Sequence, residues 1–168
     1  MPKDKYIKRT YKDTEVAYLA GIIDGEGSLT IGNYSANKKT GVLHYQTILS
    51  ITNSDMNLIN WLRSTFGGNS WKYSAKQTPK NSRQAYYRWV ATGDLLTHIC
   101  QLVQPFMVIK TKQIEIMLKI RTTFKPHSSI GGKQGTQALS QDIIDFRQQC
   151  FYEIRALHCR TGSLIKPS

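Results

Sequence analysis

Hydrophobic and polar positions recur along this chain with two different periods. Val16, Leu19, Ala20 and Ile23 follow Asp13-Thr14-Glu15 at helical spacing, with a capping residue and an acid at the start. Gly25 and Gly27 punctuate that pattern, so the helix is expected to stop near Asp24-Gly25. The period then changes to two. Across 28–34, Leu29, Ile31 and Asn33 oppose Ser28, Thr30, Gly32 and Tyr34. Across 42–53, Leu43, Tyr45, Thr47, Leu49 and Ile51 oppose His44, Gln46, Ile48, Ser50 and Thr52. A polar, basic turn at 37–41 joins the two strands into a long hairpin.

The pattern repeats. Ser54-Asp55 caps a second helix with Leu58, Ile59, Leu62 and Phe66 on one stripe, ended by Gly67-Gly68. Segments 70–76 and 86–92 read as a second hairpin with a basic tip at 77–84. Asp94 caps a third helix that Pro105 stops. Ile114, Met117 and Leu118 mark a fourth helix over 111–121. A Gly/Ser/Pro-rich loop over 124–139 leads to a last helix over 140–160, with Ile143, Phe146, Cys150, Ile154 and Leu157 inward. Helix, two strands, helix, two strands and further helices predict one α+β domain over 1–168: a four-stranded antiparallel sheet with helices on one face. A hairpin strand of about 10 residues spans about 33 Å, close to one turn of duplex DNA.

Charge shifts attention to the uncovered sheet face. Lys and Arg number 23 against 11 Asp and Glu, a formal +12. That excess favours a polyanionic partner, although charge alone does not separate DNA from RNA. The basic residues stand among Tyr, Trp, Asn and Gln in strand-like segments, which argues against a polybasic membrane tail. No apolar run reaches the length of a membrane span, and the basic arm over 1–12 lacks the apolar block of a signal peptide, so an intracellular protein with no membrane partner is expected. Three cysteines with no C-x-x-C pair argue against a disulfide framework or a structural zinc site.

One segment carries unusual chemistry for a structural helix. Ala17, Ala20 and Gly21 form a small-residue face on the first helix, although Gly21 costs about 1 kcal/mol against Ala there. Close approach of a second helix compensates. Asp24 and Glu26 stand at the helix C-terminus, where the dipole disfavours each acid by about 0.3–1 kcal/mol. Two such ends side by side would repel unless a cation lay between them, and hard oxygen donors at an open site suit Mg²⁺. Spacing alone leaves open that Asp24 caps a turn and Glu26 is solvated.

The run Leu19-Ala20-Gly21-Ile22-Ile23-Asp24-Gly25-Glu26-Gly27 resembles the motif of the LAGLIDADG homing endonucleases. The segments Gln104-Pro105-Phe106 and Lys110-Thr111-Lys112-Gln113 are similar to the family's later region, and the motif occurs once. The resemblance implies the family's αββαββα fold with C-terminal helices. It also implies a homodimer joined through the motif helices (Ala17, Ala20, Gly21 and Asp24 here) and an intron-encoded enzyme making a double-strand break in a long pseudopalindromic DNA target. Glu26 takes the place of the metal-binding acid, with Asp24 and Gly25 beside it and Mg²⁺ or another divalent cation as cofactor. Lys110 falls where the family keeps a lysine near the scissile phosphate, with Lys112 as the second candidate. Asn53 and Asn57 stand where relatives often carry Gln and Arg, which leaves the solvent-organising pair open.

The polar strand face is then expected in the major groove. Thr30, Tyr34, Lys38, Lys39, His44, Gln46 and Ser50 are the contacts of the first hairpin, and Lys72, Ser74, Lys76, Arg83, Tyr86 and Arg88 those of the second. This register turns Trp71, Tyr73, Tyr87 and Trp89 towards the helices. No E-x-K follows an acid, and neither H-E-x-x-H nor a Walker loop occurs. The alternative on the same scaffold is an intron maturase that binds nucleic acid without cutting it.

Overall fold

The computed structural model describes residues 10–35, 43–73, 86–124 and 140–158. The element order is α1 (Asp13–Glu26), β1 (Gly27–Ser35), β2 (Leu43–Asn53), α2 (Met56–Phe66), β3 (Asn69–Tyr73), β4 (Tyr86–Thr92), α3 (Gly93–Val103), a 3-10 turn (Gln104–Phe106), α4 (Thr111–Arg121) and α5 (Gln141–His158). The four strands form one antiparallel sheet in the order β1-β2-β4-β3. The expected α+β architecture is therefore present, with the long strands of the first hairpin beside the shorter ones of the second.

The core fills the space between the sheet and its helices. Leu29, Leu49, Ile51, Trp89 and Ala91 point from the strands into a cluster with Leu19, Ile23, Leu62, Leu96 and Ile99. Alternation along β1 and β2 matches the pleat, so the opposite residues lie on the uncovered face. No helix among the described residues is long and apolar enough to cross a membrane.

Local chemistry moves several boundaries. Helix α1 begins one residue earlier than its first acid suggests: Lys12 is the N-cap, and its N–H donates to the Glu15 carboxylate at 3.0 Å. The helix also runs past Asp24-Gly25 to Glu26, with Gly27 as its C-cap. Asp55 does cap α2, accepting from the Asn57 N–H at 2.7 Å. Asp94 does not cap α3, which starts at Gly93 with Thr92 as N-cap. The Asp94 carboxylate instead meets the Arg121 guanidinium at 2.9 Å. On α5 the inward face is Arg147, Cys150, Phe151 and Ile154, while Phe146 and Leu157 are exposed. Arg147 displaces the expected apolar residue because its polar atoms have partners: Nε donates to Thr123 Oγ1 at 2.8 Å and Nη2 to Thr123 O at 2.7 Å.

The largest departure is in β3. Its register pairs Ser70 with Trp89, Trp71 with Arg88, Lys72 with Tyr87 and Tyr73 with Tyr86. Directly paired residues share a face. Trp71 and Tyr73 therefore point to the uncovered side with Arg88 and Tyr86, and Lys72 points to the helix side, the reverse of the pattern reading. Trp89 explains the reversal. Its ring fills the space under this hairpin with 0% exposure, and its Nε1 donates to Gly67 O at 2.7 Å. On β3 the small Ser70 stands beside it, and on β2 Ile51 does.

Gly67 and Gly68 set this register by turning the chain from α2 into β3 with φ of 85° and 89°. A Cβ on Gly68 would stand 2.7 Å from Val90 O and 2.8 Å from Trp89 Nε1. Gly68→Ala is therefore expected to destabilise the fold by about 1–3 kcal/mol, the scale of one residue held in an unfavourable backbone region. Urea unfolding followed by Trp fluorescence checks this; an unchanged midpoint would show that the turn relaxes freely.

Candidate functional site

The site forms where the end of α1 meets the end of β2 and the turn before α4. Helix α1 has no basic residue in its last turn, yet it ends in two acids. The compensating charge comes from Lys110. Its Nζ donates to Ile23 O at 2.7 Å, Asp24 O at 2.8 Å and Gly27 O at 2.8 Å. The three protons of one ammonium group thus meet three carbonyls at and just past the helix end, of which Ile23 O also accepts from the Gly27 N–H. Asp24 reciprocates. Its Oδ2 accepts from the N–H groups of Val108 at 2.9 Å and Ile109 at 3.1 Å, and its Oδ1 from that of Lys110 at 2.9 Å.

This clamp bears on two expectations. Asp24, expected at the metal and at the dimer seam, has both carboxylate oxygens on the 108–110 backbone. Lys110, expected beside a phosphate, has its three ammonium protons on the carbonyls of Ile23 and Asp24 in α1 and Gly27 in β1. Lys112, in the first turn of α4, is exposed. Burial pushes the Asp24 carboxyl up, but the three N–H bonds and the Lys110 charge together leave it below its ordinary value. Burial lowers Lys110, opposed by the charge of Asp24.

Gly27 lets this end close. Its Cβ would lie 2.7 Å from both Ile23 Cα and Ile23 O, so any larger residue forces helix and strand apart. The abrupt turn puts Glu26 in an exposed position beside the end of β2. There Asn53 Nδ2 donates to Glu26 Oε2 at 2.6 Å, while Asn53 Oδ1 accepts from the Asp55 N–H at 2.7 Å. The second bond fixes which way the amide faces, because only its oxygen can accept. Glu26 and Asn53, both named from sequence, are thereby brought together. Asn57 caps into Asp55 through its backbone, and its side chain is exposed.

The outward face of α1 is nearly bare. Ala17, Gly21 and Gly25 are exposed, and no atom lies within 4 Å of a Cβ built on either glycine. Ala20, expected on that face, has 0% exposure and belongs to the core. Gly25, expected at the metal, continues the bare stripe one turn nearer Glu26.

The uncovered sheet face carries most of the remaining expected contacts. Thr30 and His44 are half-buried, Gln46 is exposed, and Tyr86 is half-buried against Tyr73, ring centroids 4.8 Å apart. Arg88 lies over Ser50, with Nη2 donating to Ser50 Oγ at 3.1 Å. Ser50 is 5% exposed beneath it and is not an open contact. Lys72 sits on the other face, 5.7 Å from the centre of the Tyr87 ring. Tyr34 is paired with His44 through the backbone, and its side chain lies outside the described residues. Lys38, Lys39, Ser74, Lys76 and Arg83 also lie outside the described residues. Trp71, 48% exposed on the sheet face, was missed by pattern reading.

A family model described as LAGLIDADG endonuclease matches residues 19–122. Among solved structures, the chain is similar to the homing endonuclease I-CvuI in complex with its target in the presence of Ca, with TM-score 0.66 and 13% identity, covering 90% of this chain and 87% of that one. It is equally similar to the archaeal intron-encoded homing endonuclease I-Vdi141I complexed with DNA, at TM-score 0.66 and 15% identity over 94% and 91% of the two chains. For I-SmaMI bound to cleaved DNA the TM-score is 0.55 and the identity 20%, over 89% of this chain but only 45% of that one. At these identities the likeness shows a shared fold. No match was found among curated proteins.

The clamp predicts a pH-dependent effect of Asp24→Asn. A neutral amide keeps one acceptor and turns an NH₂ group on backbone donors, so near pH 7 the variant should lose about 1–3 kcal/mol of stability. Because the Asp24 carboxyl titrates below its ordinary 3.8 in the folded chain, its contribution is complete above that value and disappears as pH falls through the lowered one. Paired thermal melts should therefore converge below about pH 3.8. A gap that stays constant into acid would mean that the charge on Asp24 contributes nothing.

Proposed function

Because the chain belongs to the LAGLIDADG endonuclease family, we propose that it is a site-specific endonuclease that binds a long, nearly palindromic DNA duplex as a homodimer and breaks both strands by metal-dependent phosphodiester hydrolysis. The observation that carries this reading is Glu26: an exposed carboxylate, held by Asn53, at the foot of a helix whose neighbouring surface is bare. Glu26 stands against the helix dipole, and the ion pair found among the described residues, Arg121 with Asp94, does not include it. The stripe of Ala17, Gly21 and Gly25 lets a second copy of α1 approach at backbone distance, which would set the two Glu26 carboxylates near the two strands of one duplex.

The donor set fits a divalent cation under those conditions. Among the described residues no group of three His, Cys, Asp or Glu comes together, so those residues do not by themselves enclose an ion. One hard oxygen ligand from Glu26, with the neighbouring Gly25 carbonyl, fits an open site completed by a second chain and by phosphate oxygens. A divalent ion such as Mg²⁺ supplies, when bound, activation of water and stabilisation of the leaving oxygen. The chain's own residues supply position. Asn53 fixes one Glu26 oxygen and leaves the other to face the phosphate. Lys110 holds the last turn of α1, which sets where Glu26 stands. Lys112 is the exposed cation available to a phosphate.

The sheet supplies recognition. Strand β2 has eleven residues, about 37 Å at 3.4 Å each; its uncovered side carries Gln46 and, nearer its end, Thr52, which pairs with Arg88 of β4. Gln46 suits adenine and the Arg88 fork suits guanine or a phosphate. Cleavage distinguishes this reading from a binder on the same scaffold, the maturase alternative.

Incubation with Mg²⁺ and a randomised duplex library, followed by end-sequencing, should return one defined target with breaks in both strands. Light scattering should give the mass of two chains. Glu26→Gln should bind the recovered target with unchanged affinity and cut it more than about a hundredfold more slowly, the scale lost with one preorganised electrostatic group. Specific binding by the wild type without any cutting would favour the maturase reading. Full cutting by Glu26→Gln would remove the role assigned to that residue. Asn53→Ala should slow cutting by a smaller factor in single-turnover assays, since it frees Glu26 without removing it; equal cutting would make the contact incidental.

A further inference from the structure

We infer that the centre of the sheet face recognises the 5-methyl groups of thymine, through Ile48 and Val90, rather than by hydrogen bonds alone. The inference rests on the proposed DNA-binding role of this face and specifies which chemistry it reads. Cross-strand pairing places Thr30, Ile48 and Thr92 in one row across β1, β2 and β4, and Ser28, Ser50, Val90 and Asn69 in the next across all four strands. Ile48 and Val90 are thus diagonal neighbours on the uncovered side, half-buried and not part of the helix-facing core, with threonines on both sides of Ile48. They share an open depression with Gln46, Trp71 and Arg88.

An apolar patch in the middle of a face that also carries Gln46, Arg88 and the exposed ring of Trp71 has a cost in the free protein, because water must be kept in contact with it. The cost is recovered when a partner offers apolar groups at the same place. In the major groove only thymine does so: its C5 methyl is the one apolar group on the base edges of unmodified DNA. The neighbours select the same partner. Arg88 uses one Nη2 hydrogen on Ser50 and its Nε is buried without a protein partner, so what it can offer a guanine or a phosphate beside the methyl is its other Nη hydrogens. Branched residues with no polar atom cannot hydrogen-bond an adenine, guanine or cytosine edge, so at the base pairs facing Ile48 and Val90 the methyl is the only readable feature.

The experiment uses the full-length protein and the target recovered from the library. Each thymine is replaced singly by deoxyuridine, which keeps every hydrogen-bonding atom and removes only the methyl. Binding is measured by fluorescence anisotropy. One or two positions in each half-site should lose about fourfold in affinity, the scale of one buried methyl-sized group. The Ile48→Ser and Val90→Ser variants should bind the thymine and uracil versions of that position equally well. Val90→Ser serves as the second variant if Ile48→Ser folds poorly, and the wild-type comparison needs no variant at all. Equal affinity for all thymine and uracil targets overturns the inference and leaves the endonuclease reading intact. So does a penalty that both serine variants retain, or a recovered half-site without thymine. Failure to select any duplex overturns both.

Discussion

The reciprocal clamp between the end of α1 and the start of α4 is the interaction on which the functional geometry depends. A helix C-terminus leaves carbonyls without partners and carries partial negative charge. Here it also carries Asp24 and Glu26. One lysine, distant in sequence, answers the carbonyls with Nζ, and one aspartate answers the backbone donors of the turn that carries the lysine. Each partner satisfies the groups that the other's chain segment leaves open. The exchange uses up Asp24 and leaves Glu26 as the only acid of that helix end facing outward. A carboxylate left facing outward is thus separated from one that holds the fold, although they are two residues apart.

That separation extends through the molecule. The helix side of the sheet is closed by Trp89, Leu49 and Ile51, each with 0% exposure. The opposite side stays open and mixed, with Gln46, Arg88, Trp71 and the Tyr73–Tyr86 stack around a small apolar centre. Asn53 stands where the two functions join. It is the last residue of β2, so its backbone belongs to the recognition sheet, while its amide fixes Glu26. Displacement of β2 on a bound duplex would therefore be felt at Glu26 through one hydrogen bond, with no intervening loop.

Much of this arrangement was legible in the sequence, and the failures share a cause. Period-two alternation gave the correct faces of β1 and β2 because both strands are long and Leu29, Ile31, Tyr45, Thr47, Leu49 and Ile51 are buried on one face. The same rule failed in β3, a five-residue edge strand. There aromatic residues on alternate positions suggested burial, but a single Trp89 on the neighbouring strand had already filled the available volume. Asp94 resembled a helix cap and is an ion-pair partner of Arg121, a contact made across 27 positions that no local pattern contains. Lys110 was identified by its place in a motif, but its bonds to carbonyls at 23, 24 and 27 belong to tertiary structure. Ala20 fell on the small-residue stripe by spacing, and only the packing of α1 shows that the stripe is Ala17, Gly21 and Gly25. Local signals located the elements and the acids. Which cation serves which acid required the fold.

The net charge of +12 is a similar case, because part of it serves the fold rather than the partner. Arg121 and Arg147 lie on either α4 or α5 and both guanidinium groups stand over the ring of Phe124, at 4.8 and 4.1 Å. Burial lowers the pKa of each, although Asp94 opposes that effect at Arg121. Two like charges around one ring repel, so the arrangement holds only because each has other partners: Asp94 and Thr97 for Arg121, and the side chain and carbonyl of Thr123 for Arg147. The guanidinium plane suits this use better than an ammonium would, since it stacks on the ring and still directs its N–H groups sideways. With Lys110 also committed inside the chain, three of the 23 basic residues fasten α4 and α5 to the rest of the domain. The positive field a duplex meets comes from the others, and a count of charges alone does not distinguish the two groups.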